Sequence, residues 1–196
     1  MLHDRMKKLV EKVAADESAE LFHEEVTYAK KHELLKEDHT ILVKDSKERF
    51  RDAYVEKGLK ETEESFEADV SLLEQPLSYL LTHKDTFLYV ESKWFEVIGV
   101  DAISIEVDDV FGTYDLMLGL KLQKKFQSSL KAKLEKNLSG DETKFDLMFD
   151  AQEGLWNINI ALNGIPGYNE GMKISEAYDI TYAFLFHLVE TLEDNQ

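Results

Sequence analysis

The chain has 196 residues, of which 43% are hydrophobic and 11% aromatic, and a formal net charge of −17. This composition predicts a packed core in one domain, with or without a helical extension, and excludes a globally disordered chain. The absence of cysteine excludes disulfides, thiolate nucleophiles and iron–sulfur clusters. The negative charge disfavours nucleic acid and anionic membrane surfaces as partners. We expect a cytoplasmic protein without a signal peptide or membrane-spanning helix.

The first 75 residues predict a helical N-terminal region. Apolar side chains recur there at spacings of three and four, which is typical of one helical face. Four helices are predicted, around Met6–Val13, Phe22–Ala29, Phe50–Tyr54 and Phe66–Leu73. Gly58 is placed to end the third helix, and Ile41–Val43 reads as an extended connection. The chain therefore divides into a helical region, residues 1–75, and a sheet domain, residues 76–196, unless the two form one continuous domain.

From residue 76 the pattern predicts a helix, three strands, a helix, two strands and a last helix. The strands alternate apolar and polar side chains or are apolar on both faces, at residues 86–90, 101–107, 114–122, 145–149 and 156–162. A single helical turn, closed by Gly99, lies between the first two of these strands. The fold class is therefore α+β, with a five-stranded antiparallel sheet and helices on one or both faces.

Polar side chains on the predicted sheet indicate a possible ligand site. Asparagine is depleted in strands, yet Asn157 and Asn159 share one strand face. Together with Asp115 and Asp146 they provide polar groups for a small molecule, with Tyr114 or Trp156 as walls. The alternative is an ordinary solvent-facing strand that needs polar side chains.

An acidic turn follows the second of these strands. Glu106, Asp108 and Asp109 place carboxylate oxygens close together, and such oxygens are the ligands that calcium and magnesium prefer. Their spacing does not match the calcium-binding loop of EF-hands. The alternative is a solvated turn that blunts the edge of the sheet.

Motifs of catalysis do not rise above background. Glu20-x-x-His23 is half of a di-iron motif and has no second copy, and the chain lacks a nucleophile elbow, a Walker sequence and a dinucleotide fingerprint. The sequence thus leans against an enzyme and predicts no cofactor. One basic segment stands out, with lysines at positions 121, 124, 125, 131, 133 and 136. It predicts either a site for an anion or an acidic partner, including a second copy's acidic turn, or a solvated helix face.

Two resemblances bear on these predictions. The stretches SKWFEVIGVDAISIEVDDVFGTYDLMLGLKLQKK and EGLWNINIALN resemble a group of short, acidic, uncharacterised bacterial proteins, some of which are labelled branched-chain amino acid aminotransferases. The sequence does not support that activity, because an aminotransferase of that class is a larger, two-domain enzyme whose lysine and phosphate-binding loop cannot be placed here. The order of elements also resembles the secretion-chaperone-like fold, whose members are often homodimers that bind extended segments of a partner.

The sequence therefore predicts a non-catalytic protein- or peptide-binding module, chaperone-like or regulatory, that forms a homodimer. The expected contact surfaces are the strand edges of the sheet, which accept an extended peptide by strand addition, and the helix Phe126–Leu138. Two alternatives stay open: a small-molecule binder or enzyme with its site on the polar sheet face, and a divalent-metal-binding protein.

Overall fold

The computed structural model describes residues 1–13, 18–35, 40–139 and 145–194. The α-helices in this part of the chain are α1 (Leu2–Val13), α2 (His23–Lys31), α3 (Lys93–Ile98), α4 (Gln127–Asn137) and α5 (Ile174–Glu193). Short 3₁₀ segments lie at Ser46–Glu48, Val70–Glu74, Leu77–Thr82, Lys124–Phe126 and Leu162–Gly164. No helix among these residues is long and apolar enough to cross a membrane.

The strands form two sheets. Their bounds are β1 (Ser18–Leu21), β2 (Thr40–Val43), β3 (Tyr54–Leu59), β4 (Ser65–Glu67), β5 (Thr86–Glu91), β6 (Val100–Val107), β7 (Tyr114–Leu120), β8 (Phe145–Asp150) and β9 (Leu155–Ala161). The large sheet is antiparallel, with the order β4-β3-β5-β6-β7-β9-β8, and β1 pairs with β2 in a small parallel sheet. The α+β class is thus confirmed.

The large sheet has seven strands, so the predicted count of five is wrong. The five predicted strands lie together in the order β5-β6-β7-β9-β8, and β3 and β4 extend the sheet beyond β5. In β3, Lys57 and Gly58 interrupt the apolar alternation that would have revealed a strand. The strand forms because it pairs with β5, with Val55 opposite Val90 and Lys57 opposite Leu88, although its own sequence lacks a strand pattern.

The N-terminal part is also less helical than predicted. Helices around Met6 and Phe22 are confirmed as α1 and α2, whereas the predicted helix ending at Gly58 is a turn followed by β3. Gly58 lies beneath the ring of Phe87, where a Cβ atom would overlap the aromatic carbons, so it serves close strand packing and does not end a helix. The predicted helix around Phe66 is β4 and a 3₁₀ segment. The division at residues 75 and 76 stays a prediction; β3, before it, pairs with β5, after it.

Helices cover one face of the large sheet. Side chains of the central strands that point to this face are buried, for example Leu88, Ile105 and Leu118. The hydroxyl of Tyr178 in α5 lies 3.3 Å from the carbonyl of Leu88, which places α5 against the middle of the sheet. On the opposite face most side chains are half-buried or exposed. This open face is typical of an antiparallel sheet with one solvated side.

Candidate functional site

The open sheet face brings together four of the predicted site residues. Asp115, Asp146, Asn157 and Asn159 all point to it, and Asn159 lies directly opposite Asp146 on β8. Tyr114 and Trp156 do not join them. Because successive side chains of a strand alternate between faces, these two aromatic residues point into the core on the helical side, where both are buried. They therefore cannot form walls of a pocket on the polar face.

The acidic turn between β6 and β7 uses its carboxylates within the protein. Asp108 accepts hydrogen bonds from the backbone amides of Val110 and Phe111 at 2.7 and 2.8 Å. Asp109 forms an ion pair with Lys60 at 3.2 Å, and Glu106 points to the open face with Asp115 as its cross-strand neighbour. Across the described ranges no group of three or more His, Asp or Glu side chains is arranged to hold a metal ion. Metal binding at this turn stays a prediction, which titration of the protein with calcium and magnesium would test.

The apolar stripe of the lysine-rich helix belongs to the core. Phe126, Leu130, Leu134 and Leu138 are all buried, and α4 packs against α5. Only the lysine side of α4 is left for a partner. The apolar stripe of the helix Phe126–Leu138 thus packs in the core, and the helix stays a predicted contact surface through its lysines.

A groove of about 650 Å³ lies between α1, α3 and the small sheet. This volume falls within the range of ligand-binding pockets. Its rim is basic: among the described residues it carries five cations, against the two acids Glu20 and Glu96. The cations are Arg5, Lys8, Lys12, Lys44 and Lys93. On a chain of net charge −17, this groove is a local excess of positive charge.

Helix α1 places its cations and an apolar border on one side. Arg5, Lys8 and Lys12 recur at spacings of three and four, and Leu9 and Val13 lie next to them on the helix surface. Leu9 and Val13 are half-buried and line the groove, whereas Leu2, Met6 and Val10 point into the core. The helix therefore presents a charged rim and an apolar wall to the same concave surface.

The groove cations differ in how they are paired. Lys44 lies 3.3 Å from Glu20, and Lys93 lies 3.8 Å from Asp52. Lys8 and Lys12 are exposed and form no ion pair with any residue that the structure describes. Lys8 and Lys12 are therefore the rim cations best placed to pair with an added anion.

Arg5 is a half-buried cation of the rim. Its guanidinium is half-buried, lies over Gly99 and donates a hydrogen bond to the carbonyl of Lys121 at 3.3 Å. Burial lowers the pKa of Arg5, while Glu193 and Asp4 act in the opposite direction. No carboxylate lies within 4 Å of it among the described side chains. Since guanidinium pairs with carboxylate in a bidentate geometry, Arg5 is suited to anchor an anion.

Trp94 forms the floor of the groove and is held from below. The ring of Phe22 contacts it edge-on at 4.7 Å between centroids, and the guanidinium of Arg49 lies 4.2 Å from the Phe22 ring. Trp94 is 6% exposed. Because so little of the ring is exposed, the apolar surface of the groove also depends on the half-buried side chains of Leu9 and Val13.

Arg49 is itself fully buried in a network of charges. It pairs with Glu25 at 2.7 Å and with Asp179 at 3.0 Å, and it contacts Glu24. The hydroxyl of Tyr182 donates a hydrogen bond to Glu25. Burial, together with the Glu25 charge, raises the pKa of Tyr182 well above its usual value, which keeps this hydroxyl protonated. The network ties α2 and the segment before β3 to α5, and so positions the floor of the groove.

The sequence did not reveal this groove. Its residues come from three regions of the chain, namely α1, the small sheet and α3. The available signal was the run Arg5, Lys8 and Lys12 beside Leu9 and Val13, together with Lys93-Trp94. In the sequence, the α1 run is typical of a solvated helix face and Trp94 of a core residue. The two segments form one surface only because α3 packs on α1. No family model, no curated protein and no solved structure matches this chain.

Proposed function

We propose that this protein is a non-catalytic binding module whose groove between α1 and α3 takes an acidic, amphipathic segment of a protein partner. The observation that supports it is the combination of a basic rim and an apolar floor in one concave surface on a strongly acidic protein. Carboxylates of the partner pair with the lysines and Arg5, and its apolar side chains cover Trp94, Leu9 and Val13. Electrostatic complementarity of this kind sets the rate of association and the choice of partner.

The same charges oppose other ligands. A basic segment is repelled by the rim, and a purely polar anion leaves the apolar floor in contact with water. Nucleic acid has anionic phosphates that suit the rim, but the rest of the surface repels a long polyanion. A protein partner, a homodimeric assembly and a cytoplasmic location stay predictions from the sequence. The groove is the surface at which we propose that the partner binds.

Binding of labelled peptides to the full chain tests this function. Two peptides of roughly 12 residues, the length of α1, share the same leucine and phenylalanine positions and differ only in carrying glutamate or lysine between them. We expect the glutamate peptide to bind and its affinity to fall as salt rises, because salt screens exposed charges. The lysine peptide is expected not to bind in the groove.

A matched pair of variants locates the binding. K8E/K12E reverses two charges of the rim, whereas K7E/K136E makes the same change at exposed lysines outside the groove. Lys12 and Lys136 both lie in the last turn of a helix, so the effect on helix stability is matched. We expect K8E/K12E to weaken binding by about tenfold or more, that is ~1.4 kcal/mol, and K7E/K136E to leave it nearly unchanged. Equal losses in both variants, or equal binding of both peptides, would contradict the proposal.

A second candidate function rests on the open sheet face. Asp115, Asp146, Asn157 and Asn159 share that face and provide both hydrogen-bond donors and acceptors. A small polar molecule or a metal bound at this face, or at the acidic turn, would raise the melting temperature of the chain. Native mass spectrometry of untagged protein checks this directly, since a bound molecule adds its own mass.

A further inference from the structure

The hairpin that joins β6 to β7 ends in an exposed apolar tip. The side chains of Val110 and Phe111 at this tip are 83% and 61% exposed. Asp108 and Asp109 precede them, so the tip has the acidic, amphipathic character that the groove between α1 and α3 requires. Large apolar side chains exposed at a rigid turn are typical of contact surfaces.

The tip is already held in one conformation. The carboxylate of Asp108 accepts hydrogen bonds from the amides of Val110 and Phe111, and the amide of Asp108 donates to the carbonyl of Thr113 at 2.8 Å. Gly112 adopts a positive φ of 67°, which closes the turn. A segment that is ordered before it binds loses little conformational entropy on association.

We infer that the groove of one copy of this chain binds the hairpin tip of a second copy. Phe111 and Val110 cover Trp94 and the α1 wall of the groove, and the exposed carboxylate of Asp109 pairs with Lys8 and Lys12. Asp109 already pairs with Lys60, but its side chain is 63% exposed, and exposed ion pairs of this kind exchange partners at little cost.

The two surfaces lie at opposite ends of the sheet. The groove is lined by α3, which ends just before β6 begins, and the tip follows the last residue of β6. Because β6 has eight residues, the two ends are separated by roughly 26 Å. A chain therefore cannot place its own tip in its own groove, and the contact joins two copies.

Two copies related by a two-fold axis fill both grooves at once and form a closed, isologous dimer. A head-to-tail, heterologous arrangement of the same contact extends into longer assemblies. This inference rests on the proposed function, because it names the partner of the same groove. The inference goes beyond the proposed function by naming the segment that binds.

Native mass spectrometry of the full chain, with analytical ultracentrifugation from about 1 to 100 µM, tests the inference. The groove variant is K8E/K12E and the tip variant is V110S/F111S. The control is F66S/M148S, which removes two other exposed apolar side chains of the sheet, 59% and 65% exposed. We expect the wild type and the control to associate, and the groove and tip variants each to dissociate at least tenfold more readily.

Mixing the two variants provides the decisive readout. A groove variant keeps its tip and a tip variant keeps its groove, so one intact contact is available only between unlike chains. An equimolar mixture with one chain labelled by ¹⁵N is therefore expected to form mixed dimers in preference to either like pair. A monomeric wild type over the whole concentration range, unaltered association of the tip variant, or absence of mixed dimers would overturn the inference. If the glutamate peptide still binds the groove in that case, the proposed function stands and only the second copy as partner is rejected.

Discussion

The groove between α1 and α3 and the open face of the large sheet differ in charge, in shape and in how their charges are arranged. The groove is concave, and two of its lysines, Lys8 and Lys12, have no ion pair within the described ranges. The sheet face is broad, and the side chains that the described strands direct to it include acids but no Lys or Arg; Lys57 of β3 points to the helical face. On that face Glu106 lies directly opposite Asp115, and Glu56 directly opposite Glu67.

This difference shows that the net charge of a chain does not set the charge of each of its surfaces. A value of −17 predicts repulsion of anionic partners, which holds for the sheet face but not for the groove. Segregation of the two signs also gives the molecule a preferred orientation toward a charged partner. The proposed contact between two copies of this chain depends on the same segregation of charge.

The largest expected effect comes from removing the charge beneath the groove. R49M keeps the volume of the side chain but leaves Glu24, Glu25 and Asp179 without their common partner. Breaking a buried charge pair costs about 3–5 kcal/mol, which lowers the melting temperature by roughly 10 °C in a chain of this size. Thermal unfolding followed by circular dichroism measures it. The exposed Arg51 gives the control R51M, and equal melting temperatures of R49M and R51M would show that the network does not support the fold.

The next largest effect is expected from a change beneath the guanidinium of Arg5. Gly99 has a φ of +81°, and a Cβ atom there would lie 2.5 Å from the Arg5 guanidinium. G99A therefore adds backbone strain of about 1–2 kcal/mol and displaces Arg5 from the rim. Gly154, with a φ of +70° and nothing within 4 Å of a Cβ atom, carries the same strain without the crowding. We expect G99A to weaken binding of the glutamate peptide and G154A to leave it intact. A loss of affinity in both variants would trace the effect to backbone strain alone.

A smaller effect separates the apolar wall from the basic rim. L9S removes a half-buried side chain of the groove without changing charge. We expect it to weaken binding of the glutamate peptide about three- to tenfold through lost apolar contact. The salt dependence of binding should stay as in the wild type, whereas K8E/K12E should flatten it. A changed salt dependence in L9S would mean that wall and rim do not act separately.

The smallest effect lies on the open sheet face. Burial raises the pKa of Glu106, and Asp115, Asp109 and Asp108 act in the same direction against Lys60. A carboxyl whose pKa is raised on folding favours the folded state when protonated, so its contribution is present below the unfolded pKa and is lost as pH rises through the folded pKa.

The variant E106Q removes this penalty at neutral pH. Relief of a like-charged cross-strand pair is worth ~0.2–1 kcal/mol, or about 1–3 °C in melting temperature at pH 7. The gain should vanish near pH 4, where the carboxyl is largely protonated. E153Q, in the exposed turn between β8 and β9, is the control. A gain that persists at the lower pH would assign the effect to something other than charge.

Prediction from sequence succeeded where the local pattern and the final contacts agree. The alternation of Ile103, Ile105 and Val107 against Ser104 and Glu106 marks β6, because one face of that strand is buried and the other is open. Ser92 and Gly99 bound α3 as a capping residue and a positive-φ glycine do, with Ser92 Oγ accepting from the Trp94 amide at 3.3 Å. At both ends of α3 the residue type alone therefore predicts where the helix begins and ends.

Prediction failed where distant residues decide the structure. Tyr54–Leu59 becomes a strand because β5 supplies its hydrogen-bond partners and Phe87 covers Gly58. Of the residues predicted for the polar sheet site, Asp115 and Asn157 share a face, whereas alternation carries Tyr114 and Trp156 to the other. The groove needed the packing of α3 on α1, which joins residues about 90 positions apart and leaves no periodic signal.

Chemical-shift mapping of the ¹⁵N-labelled full chain with the glutamate and lysine peptides tests the central claim most directly, because it compares the groove and the sheet face in one experiment. The glutamate peptide should shift the amides of α1 and α3 and the indole resonance of Trp94, and leave that of Trp156 in place. The lysine peptide should leave these groove resonances unchanged. Shifts from the glutamate peptide confined to the strands of the large sheet, or no shifts near α1 and α3 at a saturating concentration, would contradict the assignment of the groove as the binding site.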